Sequence, residues 1–376
     1  MNFDFSEEQE EIRRQARRFL SENRESRRRV VDGEALYDRD LWRAVVDMGW
    51  TATAIAEEYG GLGLGYLELC VLAEEFGSSL LPVPFVSSVL HASEAIKLAE
   101  DSVRAAEWLP RLAAGEIIAT VAFAEERAGK GWIDLPQARV VNGRLTGCKL
   151  PVADGLVADV AVVSARDAED GDGFGWFLVP LAQPGVERIA EVAVDRLRKH
   201  AQLTFDNVEA VRLGNPGAGQ EMATRLLDVA AVLGAFEQVG GAEAALAAAV
   251  EYTRTRQAFG RVVASYQAVK HKLADIYVKN QLARSHAYFG AWALSHQAVE
   301  LPLAAAGARL AASDAFNFAA EESVELHGGI GFTWESDCQL FYRRARYLAA
   351  NLGGRQRWSR RLVGELARQV TTATVS

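Results

Sequence analysis

The chain has 376 residues, of which 49% are apolar and 24% charged, and a formal net charge of −9. That length allows roughly two or three domains, each with a buried core. The charge argues against a nucleic-acid binder, because no surplus of Lys and Arg is present to neutralise phosphates.

The first residues, MNFDFSEEQEEIRR, are acidic and lack the apolar core of a signal peptide. Ser6 and Gln9 have the spacing of a capping box, and Ile12, Ala16, Phe19 and Leu20 then recur at helical spacing. Further helical patterns cover residues 40–48, 67–76, 86–98 and 102–114, separated by breaks that contain Gly and Pro. Near Ile117 the texture changes. ARVVNGRLTG sets Asn142-Gly143 between short β-formers, and that dipeptide accepts the positive φ angles of a type I′ hairpin turn. ADVAVVSAR, GWFLVPL and HAQLTFDNVEA follow as strands, with DAEDGDGFG as a loop. A short-stranded, antiparallel barrel or sandwich is expected here.

After GNPGAG the pattern returns to long, Ala-rich, amphipathic helices over 222–255, 266–298 and 303–326, and a shorter helical pair closes the chain. A four-helix bundle is the natural packing, and its Ala-rich faces suit oligomerisation. The expected fold is therefore mainly α with a central β domain. It comprises an N-terminal helical domain (1–117), a middle β domain (118–213) and a C-terminal four-helix bundle (214–376). Cys70, Cys148 and Cys338 are far apart and form no CxxC, so neither a disulfide frame nor a zinc site is expected. No run approaches the ~18 apolar residues of a bilayer span. A cytoplasmic protein without membrane insertion or a metal is the expectation.

No GxSxG, P-loop, HExxH or EF-hand pattern is present, and the six histidines show no metal-ligand spacing. YGGLGLGY (59–66) lacks the preceding strand and the spacing of a dinucleotide-binding loop, and reads as a turn between helices. YTRTRQAFG (252–260) ends a helix with Arg254, Arg256 and Phe259. Cations at that position commonly complement a helix dipole. Given an anion, an arginine there would grip it with a bidentate fork, and Phe259 would offer a ring for stacking. ELHGGIGFTWE (325–335) is equally two-sided. Its glycines can simply end a helix, yet Gly328, Gly329 and Gly331 would also let backbone N–H groups reach a phosphate. AANLGGRQRW (349–358) reads as an anion-binding turn, a plain helix break or an active-site loop without an acid, since no carboxylate occurs from Gln339 to Gly364.

Taken together, the helix–sheet–helix order, Y-x3-R-x2-FG at 252–260 and GG-x-GF-x2-E at 328–335 resemble the acyl-CoA dehydrogenase family over essentially the whole chain. AEEYGGLG (56–63) is similar to that family's first-domain signature. YQAVKHKLAD (266–275) is similar to the helix after its arginine motif, and GCKLPVADGLVADVAVV (147–163) to a middle-domain segment. The resemblance implies a flavoprotein in which a carboxylate removes the α-proton of an acyl-CoA thioester while the β-hydride passes to flavin N5. It also implies a tetramer in which each FAD bridges two subunits. On that pattern Arg256 would contact the pyrophosphate, and Phe259 and Gln267 would line the adenosine side. Leu326, His327, Gly328 and Gly329 would offer backbone around the phosphates, and Gly354 and Gln356 would approach a flavin or CoA.

Several positions depart from the pattern. The family's usual base, a Glu before Gly-Thr, is Leu352 before Gly353-Gly354. The base that some members carry early in the first bundle helix is Ala230, and Asp228 lies about 200° around the helix from it. Pro151, Val152 and Ala153 occupy the flavin-covering aromatic, aliphatic and Thr positions, and Glu125-Glu126-Arg127 the Thr-Glu-Pro turn. Glu325 stands where a Gln is usual near the pyrophosphate, which is unfavourable unless the charge is paired or protonated. HGGIGFTWE (327–335) looks like the version of the motif in the small or β-type subunits of heteromeric bacterial enzymes, which implies an FAD shared with a catalytic acyl-CoA dehydrogenase partner. Two other readings stay open: a self-sufficient homo-oligomer using Asp228 or Glu126 as a displaced base, and a flavin-free binding protein that reuses the fold.

Overall fold

The structure is a computed structural model that describes residues 5–23, 26–125 and 134–375. Glu126 and Arg127, weighed above, lie outside the described residues. The N-terminal helices are α1 (Glu7–Glu22), α2 (Ser26–Val31), α3 (Arg39–Asp47), α4 (Tyr66–Ser79), α5 (Glu94–Leu98) and α6 (Ser102–Ala113). Helix α1 starts at the expected capping box: Ser6 Oγ accepts from the Gln9 N–H at 3.3 Å, and Gln9 Oε1 accepts from the Ser6 N–H at 2.9 Å. The pattern at 86–98 is one helical stretch wound in two ways, as a π-helix over Val86–Ser93 and then as α5.

The strands are β1 (Ala119–Ala122), β2 (Arg139–Val141), β3 (Arg144–Ala153), β4 (Val160–Ala165), β5 (Gly175–Pro180), β6 (Val186–Glu191), β7 (His200–Glu209) and β8 (Val211–Leu213). They form two four-stranded sheets, ordered β1-β4-β5-β8 and β2-β3-β7-β6. Asn142 (φ 51°) and Gly143 (φ 73°) make the turn between β2 and β3, as the dipeptide requires. The expectation of a purely antiparallel region fails at two places: β1 pairs with β4 in parallel, and Arg139 of β2 makes an isolated parallel bridge to Arg166. A parallel pair needs a long crossover. Here the chain supplies one by running through β2 and β3 of the other sheet before it returns.

The C-terminal part comprises α7 (Gly219–Thr255), a small ladder of β9 (Gln257–Ala258) and β10 (Arg261–Val262), then α8 (Gln267–Ser295), α9 (Leu301–His327), α10 (Cys338–Asn351) and α11 (Arg355–Val375). Helix α9 packs against α8, α10 and α11. By length and composition α7 could cross a membrane, contrary to the reading that no such run exists, but 78% of its apolar window is buried inside the protein. Its apolarity serves protein packing.

Two compact units arise from interleaved stretches of chain. One comprises residues 1–24, 66–81 and 231–376, and the other 25–65 and 82–230. Helices α1 and α4 therefore belong with the bundle. In that unit α4 crosses α7 backbone to backbone: a Cβ on Gly77 would lie 2.0 Å from Glu237 O, and one on Gly240 1.8 Å from Glu74 O. Buried Glu74 ties the crossing together, accepting from Arg13 Nη2 of α1 at 3.0 Å and from Arg284 Nη2 of α8 at 2.5 Å.

Candidate functional site

At one end of the bundle, the end of α7, the start of α8 and the end of α9 converge. The rings of Tyr252 on α7 and His327 on α9 stack with centroids 4.5 Å apart. His327 is buried and its Nδ1 donates to Ser323 O at 2.6 Å, so its ring is a packing element and only its backbone is offered outward. Leu326 beside it is half-buried. Beyond α7, Arg256 is exposed, and the β9–β10 ladder turns at Phe259-Gly260. Phe259 has φ +50° and is 98% exposed. A large aromatic in left-handed conformation with almost no contacts is costly for an isolated chain. It is suited to receive a planar group.

Tyr266 braces this turn, its OH donating to Ala258 O at 3.0 Å while the Arg261 guanidinium lies 3.8 Å above its ring centroid. Gln267, in the first turn of α8, is exposed and hydrogen-bonds His271 across 3.1 Å between Nε2 atoms. The helix α9 stops because Gly328 takes φ +64°, ψ −141°, a conformation natural to glycine. A Cβ on Gly328 or Gly329 would meet no atom within 4 Å, so the backbone there is open to a ligand. Gly331 differs. It is buried, and its Cβ would lie 2.6 Å from Val324 O. Its glycine is required by packing against α9, whatever Gly328 and Gly329 offer to a ligand.

Glu325, the charge that the sequence left uncompensated, is paired. Lys272 Nζ donates to Glu325 Oε2 at 2.7 Å and also to Glu322 Oε2. The two carboxylates hold the Lys272 pKa above its ordinary value, Glu322 having the larger effect. Lys272, His271 and Tyr252 were not singled out as site residues from sequence. Their only local signal was membership of the two motifs that bracket the site.

The loop at 349–358 is ordered from within. Leu352 caps the end of α10, Gly353 turns with φ +93°, and α11 starts at Arg355. Trp358, buried on α11, donates from Nε1 to Leu352 O at 3.1 Å. Leu352 is only 3% exposed, and a Cβ on Gly234 of α7 would sit 4.0 Å from its Cδ1 and 3.9 Å from Arg309 Nη1. Arg309, fully buried on α9, donates to Gln238 Oε1 at 3.1 Å, to Asn351 Oδ1 at 2.9 Å and to Leu348 O. Burial pushes its pKa down to about 10, which still leaves it a cation at neutral pH. Leu352 itself is hydrocarbon; a buried carboxylate, Glu237 of α7, acts on Arg309 and is itself engaged by Arg344 Nη1 at 2.9 Å. Ala230 is buried one turn before Gly234 on the same face of α7, and Asp228, also buried, points to another face. Gly354 and Gln356 are exposed.

In the other unit, Pro151 is exposed, Val152 is fully buried, and Ala153 O accepts from Thr120 Oγ1 at 2.6 Å. This stretch of β3 presents no aromatic ring and no hydroxyl of its own. Lys149 beside it is buried, donating to Glu125 Oε1 at 2.8 Å and Ser164 Oγ at 3.2 Å. The residues present therefore fit the diphosphate and adenosine half of an FAD, with an exposed arginine, an exposed ring and an open glycine backbone. They do not fit the family's way of holding the flavin ring.

Residues 217–366 match the family profile described as acyl-CoA dehydrogenase, C-terminal domain, and residues 6–116 match acyl-CoA dehydrogenase, N-terminal domain. Acyl-CoA dehydrogenase IpdE2 of Mycolicibacterium smegmatis is 33% identical over 91% of this chain and 93% of its own. Among solved structures, the ChsE4-ChsE5 complex from Mycobacterium tuberculosis superposes with a TM-score of 0.88 at 28% identity, covering 98% of this chain and 99% of that one. A variant of the Tcur3481-Tcur3483 steroid ACAD gives 0.87 at 30% identity, covering 97% and 99%.

Proposed function

The chain belongs to the acyl-CoA dehydrogenase family, and from that premise we propose that it is the non-catalytic subunit of a heteromeric, α2β2-type acyl-CoA dehydrogenase. It contributes diphosphate and adenosine contacts to an FAD whose flavin ring and catalytic carboxylate belong to a partner chain of the same family. FAD, when bound, accepts the β-hydride of an acyl-CoA thioester. This chain binds and orients: Arg256 grips the diphosphate, Phe259 and Gln267 meet the adenosine, and Gly328-Gly329 offer backbone N–H groups. It moves no proton, because the two positions where the resemblance implies a base are Leu352 and Ala230. The observation that carries the reading is this contrast: Arg256, Phe259, Gln267, Gly328 and Gly329 are exposed, whereas the implied base position is filled by a buried leucine. That two structurally similar proteins are named as two-component assemblies supports a partner subunit. We propose a cytoplasmic assembly, in which the free thiols of Cys70, Cys148 and Cys338 remain reduced.

Co-expression with each acyl-CoA dehydrogenase chain encoded in its gene neighbourhood, followed by co-purification and flavin quantitation, tests this. A yellow complex with half the family's usual flavin per chain is expected. Full flavin occupancy of the chain alone with ordinary acyl-CoA desaturation would overturn the reading, as would the absence of flavin from every complex.

A further inference from the structure

The acidic residue at the phosphate rim invites a question: how does a diphosphate approach a site that carries an extra negative charge? Glu325 is the last acidic residue of α9, three positions before Gly328, and its side chain is 66% exposed. Glu322, one turn earlier, is 17% exposed. Between them stands a single ammonium, Lys272 Nζ, hydrogen-bonded to both carboxylates and only one-third exposed. Lys272 belongs to the second turn of α8, next to His271, which in turn contacts Gln267. One helix therefore carries both the adenosine-side amide and the cation that neutralises the acid on the opposing helix.

We propose that Lys272 is a positioning residue of the diphosphate site. Its ammonium holds the Glu325 carboxylate in an ion pair at the rim, so that the open Gly328-Gly329 backbone and Arg256 meet an anion without a bare carboxylate beside them. The pair makes the chain's half of the site selective for a diphosphate-bearing ligand through charge balance, and the two residues are interdependent. A lone carboxylate near the ligand repels it, whereas a lone ammonium attracts it. This inference rests on the cofactor-sharing reading above.

The test uses the purified complex, stripped of flavin and titrated with FAD, and separately with ADP as a probe of the diphosphate–adenosine half, at two salt concentrations. Lys272→Met is expected to weaken both ligands roughly 10- to 100-fold, the range of one charge-assisted contact. Adding salt should narrow the difference from wild type, because screening weakens the repulsion from the bare carboxylates. Glu325→Gln, at an exposed position that tolerates change, should bind at least as tightly as wild type. In the double variant, Glu325→Gln should recover part of the affinity that Lys272→Met loses, since Glu322 is then left without the ammonium. A mere brace between α8 and α9 would lower the thermal midpoint but leave the salt dependence of ADP binding unmoved and show no rescue. Either of those results, or unchanged ADP binding in Lys272→Met, overturns the proposal while leaving cofactor sharing intact. A wild-type complex that takes up no FAD instead overturns the cofactor-sharing reading.

Discussion

Leu352 stands where the resemblance implies a catalytic carboxylate. Its side chain is packed in the bundle beside Gly234 and Arg309, and its carbonyl is held by Trp358. Leu352→Ala should therefore cost about 2–5 kcal/mol of stability, the usual range for a buried leucine, and lower the thermal midpoint of the complex. Turnover per flavin should be unchanged. A loss of about 10²-fold or more, the scale of general-base catalysis, would return the chemistry to this loop. The absent carboxylate was legible from sequence because it lies at a fixed offset from a motif. Arg309 was not, since its partners Gln238, Leu348 and Asn351 come from two other helices.

Among the elements, those with local instructions were the legible ones. The Ser6–Gln9 capping box and the Asn142-Gly143 turn are written in adjacent residues, and both formed as expected. Strand pairing is not written locally, which is why the parallel β1–β4 ladder was missed. Strand β7 carries a further consequence. His200 is buried at its start, with Nδ1 donating to Arg198 O at 3.1 Å, and burial pushes its pKa down to about 4. Its charged form is disfavoured in the fold, so between about pH 6.5 and pH 4 the unfolded chain binds the proton that the native chain refuses. Stability from this group is present above pH 6.5 and lost on the way down to pH 4, by about 3 kcal/mol in all. Thermal midpoints measured across that window should fall steeply for wild type and less steeply for His200→Leu. Equal slopes would show that His200 is not the group responsible.

At the scale of the molecule, several large apolar side chains stand exposed among the described residues. Phe259 and Phe332 are 98% and 83% exposed, Tyr277, Val278 and Leu282 line an open face of α8, and Val363, Leu366 and Val370 repeat at helical spacing on α11. Burying such residues against a partner stabilises the folded state by mass action. The chain alone should melt below the complex, and a partner at a hundred times its dissociation constant should add about 2.7 kcal/mol. An isolated chain that melts at the same temperature as the complex would argue against an extensive shared interface. The sequence by itself determined the family, the succession of helical and sheet segments, and the leucine at the implied base position, because periodicity and motif offsets are local properties. Only the tertiary structure decided which charges meet. Lys272 reaches Glu325 across 53 residues because α8 and α9 lie side by side with opposite directions, and a contact made by helix packing leaves no pattern in the residues between.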